Sequence, residues 1–292
     1  LLEKSDLDRM LYQQDQPFST ASHFSEFKVF ETARKEKMIV MQDGQGSDEY
    51  LCGYPEFFSV RLKELFWSFQ WIEMMKLLNH KSKHRNTSFT KELFTFIKSV
   101  IFYRLIEKVK RLLNKELYPW LSKEWQFIAN RSNVIFKENN IRELSISEIK
   151  YSSIPYQLHS EDRNSMLFSI ESRLPFLDHR LVEYCIGLPS RYKINEGYSK
   201  YVLRQAIQEL PEPIRYRKDK MGFVAPDPIW MLQHKKRVRE DLKHIVQSSS
   251  IFSEKLVDRF DKFTEGKLGY EPIYFRAMTL SRFCRLFKIN ID

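Results

Sequence analysis

Apolar positions recur with a helical period along most of this chain, and one short run breaks it in favour of a strand. Across residues 22–37, Phe24, Phe27, Phe30 and Ala33 step along one face, the spacing of an amphipathic helix. Met38-Ile39-Val40-Met41 is a continuous apolar run and predicts a short strand directly after it. A helix leading into a strand is the arrangement of a parallel α/β sheet. Residues 56–131 are almost wholly helical in pattern, with long-chained and aromatic side chains and no hairpin signal. Within them, the polar stretch 79–88 predicts a loop. Residues 133–140 and 145–155 lose the period and predict connections.

Punctuation residues place the later helices. Ser160 suits a helix N-cap, with Glu161 and Asp162 in the first turn complementing the dipole. Met166, Leu167 and Ile170 then form the buried stripe, and Pro175 ends the helix. Asp178 caps the next, in which Leu181, Val182, Cys185 and Ile186 share a face. Gly187 stops it and Pro189 follows. Residues 199–210 read as a short helix closed by Pro211. After Pro228 helices dominate, and Pro272 opens a final one carrying Tyr274, Met278, Phe283 and Phe287.

Composition agrees with a helical chain. The 292 residues include 23 Phe and 14 Tyr but 8 Gly, which disfavours a loop-rich β architecture. The length allows one large domain or two small ones. A net charge of +10 and a pI near 9.3 permit contact with nucleic acid or an anionic membrane, and equally suit an enzyme for anionic substrates. The basic runs at 108–111 and 234–239 read as solvated faces of amphipathic helices, and no aromatic-basic RNA motif accompanies them. No nucleic-acid partner is therefore expected. No apolar stretch approaches a bilayer span, so no membrane partner is expected either. Cys52, Cys185 and Cys284 are widely spaced, with no Cys-x-x-Cys or His cluster. They predict reduced thiols and a cytoplasmic location.

The densest candidate chemistry follows the predicted strand, in Asp43-Gly44-Gln45-Gly46-Ser47-Asp48-Glu49. Two glycines allow a ligand close to the backbone. Backbone N–H groups in such a turn can hold phosphate oxygens. Asp48 and Glu49 add hard oxygen ligands where a phosphate-bound Mg²⁺ would sit. A glycine pair alone is a weak signal, since polar strand-to-helix connections carry the same residues.

Two further segments change the balance. One is His159-Ser160-Glu161-Asp162-Arg163-Asn164-Ser165-Met166 with Ile170-Glu171-Ser172-Arg173-Leu174-Pro175-Phe176-Leu177-Asp178. The other is Lys200-Tyr201-Val202-Leu203-Arg204 with Arg217-Lys218-Asp219-Lys220-Met221-Gly222-Phe223. In this order, the three segments resemble the C-terminal synthetase domain of glutamine-dependent asparagine synthetases. The resemblance runs from about Leu7 to about Pro226, with a variable stretch between about Val60 and Tyr151.

That resemblance implies a fold, a reaction and roles. The fold is mostly α: the helical C-terminal portion of an adenine-nucleotide α-hydrolase-like α/β domain, with few parallel strands. Within 1–292, residues 1–56 would form the α/β part with the acidic loop and 57–150 a variable helical region. Residues 151–228 would carry the family motifs and 229–292 the C-terminal helices. The reaction would make asparagine from aspartate through a β-aspartyl-AMP intermediate, with ATP and Mg²⁺ as cofactors. Phosphoryl chemistry of this kind needs charge neutralisation more than a nucleophilic side chain. Asp48 is the implied metal ligand. Lys220, Glu49 and Arg163 are the implied catalytic residues. Gly44, Gln45, Gly46, Ser47 and Lys200 are implied to bind the nucleotide. Arg173 and Asp178 read instead as a buried structural ion pair. Lys200 and Arg204, one helical turn apart, read equally as catalytic or structural. For Arg163 the competing reading is a surface ion pair with Glu161 or Asp162, and for Glu49 a capping charge.

Departures from the family matter too. The pyrophosphate loop Ser-Gly-Gly-x-Asp-Ser and the glutaminase domain are absent from this sequence, and both would precede Leu1. The expectation is a fragment, inactive alone, whose partners are aspartate, ATP and ammonia from an upstream glutaminase domain, with self-association into a homo-oligomer left open. Gln45 stands where many members carry Glu, which leaves room for another carboxylate substrate, such as a sugar acid or a peptide side chain. A helical module that binds an anionic partner without catalysis is the rival from a different class; the joint presence of Asp48, Arg163 and Lys220 speaks against it.

Overall fold

The computed structural model describes residues 4–98, 118–131, 138–218, 222 and 225–291. Helices α1 (Lys4–Gln14) and α2 (Ser22–Lys35) come first. The apolar stripe read from the sequence is the buried one, since Phe24, Phe27, Phe30 and Ala33 all face the core. Strand β1 (Val40–Gln42) follows and pairs in parallel with β2 (Glu171–Arg173), Val40 opposite Glu171 and Gln42 opposite Arg173. The connection between parallel strands must cross the sheet. Here it contains α3 (Ser47–Tyr50), α4 (Pro55–Trp67), α5 (Trp71–His84), α6 (Phe89–Ile97), α7 (Lys123–Arg131), α8 (Ile141–Lys150) and α9 (Ser153–Leu167). After β2 come α10 (His179–Gly187), α11 (Tyr201–Ala206), α12 (Glu212–Arg215), α13 (Asp227–Gln233), α14 (Lys235–Gln247), α15 (Lys255–Thr264) and α16 (Ile273–Phe287).

Several local expectations are corrected. The stretch 79–88 is not a loop throughout. Helix α5 continues to His84, because Leu77, Leu78 and Lys81 still have a face to bury. Residues 145–155 hold the junction of two helices. Asn140 caps α8 by accepting the Glu143 N–H at 2.9 Å. Ser145 and Glu148 lie on the buried face of α8, so hydropathy does not mark that face. Ser160 is not an N-cap. Helix α9 starts at Ser153, with Pro155 tolerated in its first turn. Ser160 is buried mid-helix. The segment 171–173 is a strand rather than helix; three residues are too few to show a period, and a partner 131 positions away specifies them. Arg173 and Asp178 form no buried pair. Arg173 bonds Glu171 and Asp178 bonds Arg180, all at the surface, so neither charge has to leave water. Asp178 does cap α10, accepting the Arg180 N–H at 2.9 Å.

Two cores flank the β1–α3 loop. The larger joins α1 and α2 to α13–α16 through residues such as Met10, Phe27, Trp230, Phe260 and Tyr274. The second joins α4, α5, α6 and α8 through Phe57, Leu78, Phe96 and Leu144. A small cluster of Tyr50, Leu51 and Cys185 ties α3 to α10. The basic run 234–239 starts at the residue before α14 and continues along it; Val238, Leu242 and Ile245 of that helix point inward while Arg239 bonds Asp261 at 2.7 Å. The run at 108–111 and most of 133–140 lie outside the described residues. All three cysteines are free and buried, and burial pushes each thiol above its ordinary pKa. Among the described residues, no helix is long and apolar enough to cross a membrane.

Candidate functional site

The loop between β1 and α3 continues the β ladder, because the Asp43 N–H donates to the Arg173 carbonyl at 3.0 Å. Asp43 Oδ1 then accepts the Gln45 N–H at 3.1 Å, and Ser47 Oγ donates to the Gly44 carbonyl at 3.2 Å. Gly46 turns the chain into α3 with a φ of 97°. A Cβ there would sit 2.3 Å from Leu177 Cδ2, so both backbone and packing require glycine. A Cβ at Gly44 would meet nothing within 4 Å.

Helix α3 presents Asp48 to Lys200. Lys200 Nζ lies 2.7 Å from Asp48 Oδ1 and 2.8 Å from Ser47 Oγ. The pair is about a quarter exposed, at 26% and 27%. Lys200 precedes α11 in a left-handed conformation with a φ of 52°. Its own N–H donates to the Leu51 carbonyl at 3.0 Å, which straps α11 to the end of α3. Gly53 provides the room. Its N–H donates to the Asp48 carbonyl at 2.9 Å. A Cβ on it would fall 1.6 Å from Asp48 Oδ1 and 2.8 Å from Lys200 Cε.

Glu49 is turned the other way and is fully buried. Its Oε1 accepts from Tyr54 Oη and Ser153 Oγ, each at 2.7 Å, and from Gln157 Nε2 at 3.4 Å. The carboxylate thus joins α3 to α9. Arg163 is held by neither Glu161 nor Asp162; it pairs with Asp15, just after α1, at 2.9 Å on a half-exposed surface. It lines neither cleft described below. Arg204, one turn beyond Lys200, donates to the main-chain carbonyls of Ser199 and Arg215, a structural use. Lys220 lies outside the described residues, although Lys218 and Gly222 border the two clefts.

Asp48 stands on the boundary between these clefts. One, of about 770 Å³, is lined by Asp43, Gly44, Gln45 and Asp48 on one side and by Glu26 and Tyr156 on the other. The other, of about 1190 Å³, runs from Asp48 and Lys200 toward α5 and α6. A polar network in the wall of the first cleft escaped the sequence reading. His23 Nε2 lies 2.8 Å from Tyr156 Oη, and Nδ1 lies 2.6 Å from Ser160 Oγ. Ser160 Oγ and Asn164 Nδ2 donate to Glu26 Oε2 at 3.1 and 2.7 Å. Burial pushes Glu26 up to about 7, outweighing the bonds from Asn164 and Ser160. It pushes Glu161 up to about 7 against the bond from Ser172. Burial also drives His23 down to about 4. The bonds that His23 and Glu26 make with Tyr156, Ser160 and Asn164 join residues 133 to 138 positions apart, so no local spacing could announce them.

An asparagine synthase family model matches residues 2–271, a range that takes in the whole site. The chain belongs to the asparagine synthase family. Asparagine synthetase (glutamine-hydrolyzing) 3 of Bacillus subtilis (strain 168) is 38% identical over 103 residues, 35% of this chain and 16% of that protein. Asparagine synthetase (glutamine-hydrolyzing) 1 of the same organism is 30% identical over 149 residues, 49% of the chain and 22% of the relative. Synthetase 2 is 26% identical over 234 residues, 78% of the chain and 27% of the relative. The chain thus matches less than a third of the length of each of these relatives. No solved structure matches it. As an asparagine synthase family domain it is mostly helical, with one parallel strand pair among the described residues.

The described residues hold no group of three or more His, Cys, Asp or Glu arranged for a metal ion. A nucleotide-bound Mg²⁺ asks for less, since one or two carboxylates plus phosphate oxygens and water complete its shell. Asp48 fits that requirement. Its partner Lys200 is the kind of group that would move to a phosphate oxygen when a cation took the carboxylate.

Proposed function

We propose that this chain forms the carboxylate-activating centre of an ATP-dependent, AMP-forming amide synthase, with aspartate as the acceptor and ammonia drawn from glutamine at a separate glutaminase site. The observation that carries this reading is the Asp48–Lys200 pair. A carboxylate on α3 and an ammonium just before α11 lie 2.7 Å apart beside the glycine loop, with the carboxylate lining both clefts, inside the family match.

The chemistry follows from those charges. The acceptor carboxylate attacks the α-phosphorus of ATP, pyrophosphate leaves, and ammonia then displaces AMP from the acyl group, losing a proton. Mg²⁺ held by Asp48 would neutralise the pyrophosphate as it leaves. Lys200 Nζ and Ser47 Oγ would donate to phosphate oxygens. Helix α3 is a single turn, so its dipole contributes little; Lys200 supplies the fixed positive charge, with Lys220 as a second candidate. Interactions that strengthen as charge moves onto the leaving group raise kcat rather than affinity. Glu49 holds α3 against α9, which fixes the direction of Asp48.

ATP–pyrophosphate exchange on the natural full-length protein tests the reading. Exchange that depends on aspartate supports it. Exchange that depends on a different carboxylate keeps the chemistry and replaces the acceptor. No exchange with any carboxylate, from a folded protein with Mg²⁺, contradicts it.

A further inference from the structure

The cleft on the Lys200 side is larger than a nucleotide site requires. Its volume of about 1190 Å³ exceeds the ~300–1,000 Å³ of common ligand pockets. Its far wall is the turn between α5 and α6, in the region that varies from the family pattern. That turn is firmly built. Lys81 and Glu92 close it with a buried 3.0 Å ion pair, Thr87 Oγ1 donates to Glu92 at 3.0 Å, and Ser88 caps α6. His84 fastens it to the motif region, with its ring edge-on to Tyr198 at 4.4 Å. Gly197 packs so closely that a Cβ would lie 3.0 Å from His80 and 3.1 Å from His84.

The charge on this wall is not balanced. Three carboxylates line the cleft: Asp48, Glu56 and Glu92. Lys200 matches Asp48, and Lys81 matches Glu92. Arg85, Lys91 and Lys218 also line it and make no ion pair with a described carboxylate. Arg204 stands among them. Main-chain carbonyls and the Tyr198 ring, 5.3 Å away, hold its guanidinium in place without neutralising it. Burial first, and then the charge of Lys218 among its neighbours, keeps the His84 imidazole below its ordinary pKa. Phe58 and the His84 imidazole, which packs edge-on against Tyr198, are the aromatic rings among the described lining residues, whereas single-stranded nucleic acid needs rings on which to stack.

We propose that this cleft binds an oligocarboxylate acceptor, which presents one carboxylate at the Asp48–Lys200 site while Arg85, Lys91 and Lys218 hold further carboxylates of the same molecule. This rests on the amide-synthase reading and names the substrate class for it: a chain of several carboxylates rather than free aspartate. Ammonium and guanidinium groups on two walls suit carboxylates spaced along a backbone, since charge-assisted hydrogen bonds are the strong ones. Ser59, Thr87 and Thr95 on the same surface offer hydroxyls to the polar groups between.

The test is calorimetric titration of the 292-residue chain with a tetra-aspartate peptide, with tetragalacturonate, with free aspartate and with a tetranucleotide, in low salt. The comparison protein is the double variant Arg85→Glu/Lys91→Glu, both sites being exposed and outside the buried Lys81–Glu92 pair. The expected result is that one oligocarboxylate binds at least ~10-fold more tightly than free aspartate, and that the variant loses ~10-fold or more of that affinity with an unchanged melting curve. Whichever oligomer binds identifies the backbone as peptide or sugar. Three results overturn the proposal: no oligocarboxylate binding, equal binding by the variant, or tighter binding of the tetranucleotide. Pyrophosphate exchange on the natural protein reads the underlying chemistry separately. Exchange driven by free aspartate, with no oligocarboxylate binding, removes this proposal and leaves the amide-synthase reading standing.

Discussion

Lys200 Nζ and Asp48 Oδ1 stand 2.7 Å apart across a gap that exists because residue 53 is glycine. An alanine methyl at that position would overlap Asp48 Oδ1 at 1.6 Å, and the carboxylate tip is what can move. Gly53→Ala is therefore expected to swing Asp48 away from Lys200 with little change in overall stability. Pyrophosphate exchange should fall by ~10-fold or more, while the melting temperature stays within a few degrees of the wild type. Undiminished exchange would show that the pair's geometry does not matter to the reaction.

Much of this site was legible because its residues are contiguous. The 43–49 loop shows its glycines and acids in a row, and the helix ahead of it shows a clean stripe in Phe24, Phe27, Phe30 and Ala33. Asp178 announced its cap correctly for the same reason, since a cap is local. What the sequence concealed is long-range. Ser160 looks like an N-cap in isolation, yet His23, Glu26 and Gln14 from distant helices hold it mid-helix. Strand β2 is too short to carry a period. Glu49 reads as a catalytic residue or a capping charge, and no spacing announces that Ser153 and Gln157 close over it. The partner of Arg163, Asp15, was brought near by folding, and spacing holds no record of that, whereas Arg173 and Asp178 took charges two positions along the chain instead of each other.

Glu49 is predicted to act through structure. Glu49→Ala would leave Tyr54, Ser153 and Gln157 without their acceptor in a buried place. Each stranded buried donor costs about 1–3 kcal/mol. Urea unfolding should show a loss of at least about 2 kcal/mol. A variant as stable as the wild type would return Glu49 to the list of ligand candidates.

Glu26 gives a pH signature. Its folded pKa of about 7 lies above its ordinary 4.5, so the folded state holds the proton more tightly than the unfolded chain does. Its contribution to stability is complete below about pH 4.5 and is lost as the pH rises through 7. Glu161 adds to the same trend, while His23, lowered from 6.5 to about 4, costs stability as the pH falls through that range. Glu26→Gln is expected to match the wild type near pH 4.5 and to exceed it by up to about 3 kcal/mol at pH 8. Equal stabilities in urea at both pH values would mean that the burial of this carboxyl is overstated.

Arg163 tests the resemblance against the geometry. With Asp15 it forms a half-exposed pair, and such pairs contribute about 0–1 kcal/mol. Arg163→Ala should leave both stability and exchange close to wild type. A large drop in exchange with intact stability would place Arg163 at the phosphates despite its position away from both clefts.

The central claim is that Asp48 and Lys200 form the phosphate-handling pair, and Asp48→Asn in the natural full-length protein tests it most directly. The substitution removes one charge at nearly constant volume. ATP–pyrophosphate exchange at saturating Mg²⁺ is expected to fall ~10²-fold or more, with the fold intact by circular dichroism. Near-normal exchange by the folded variant would contradict the account.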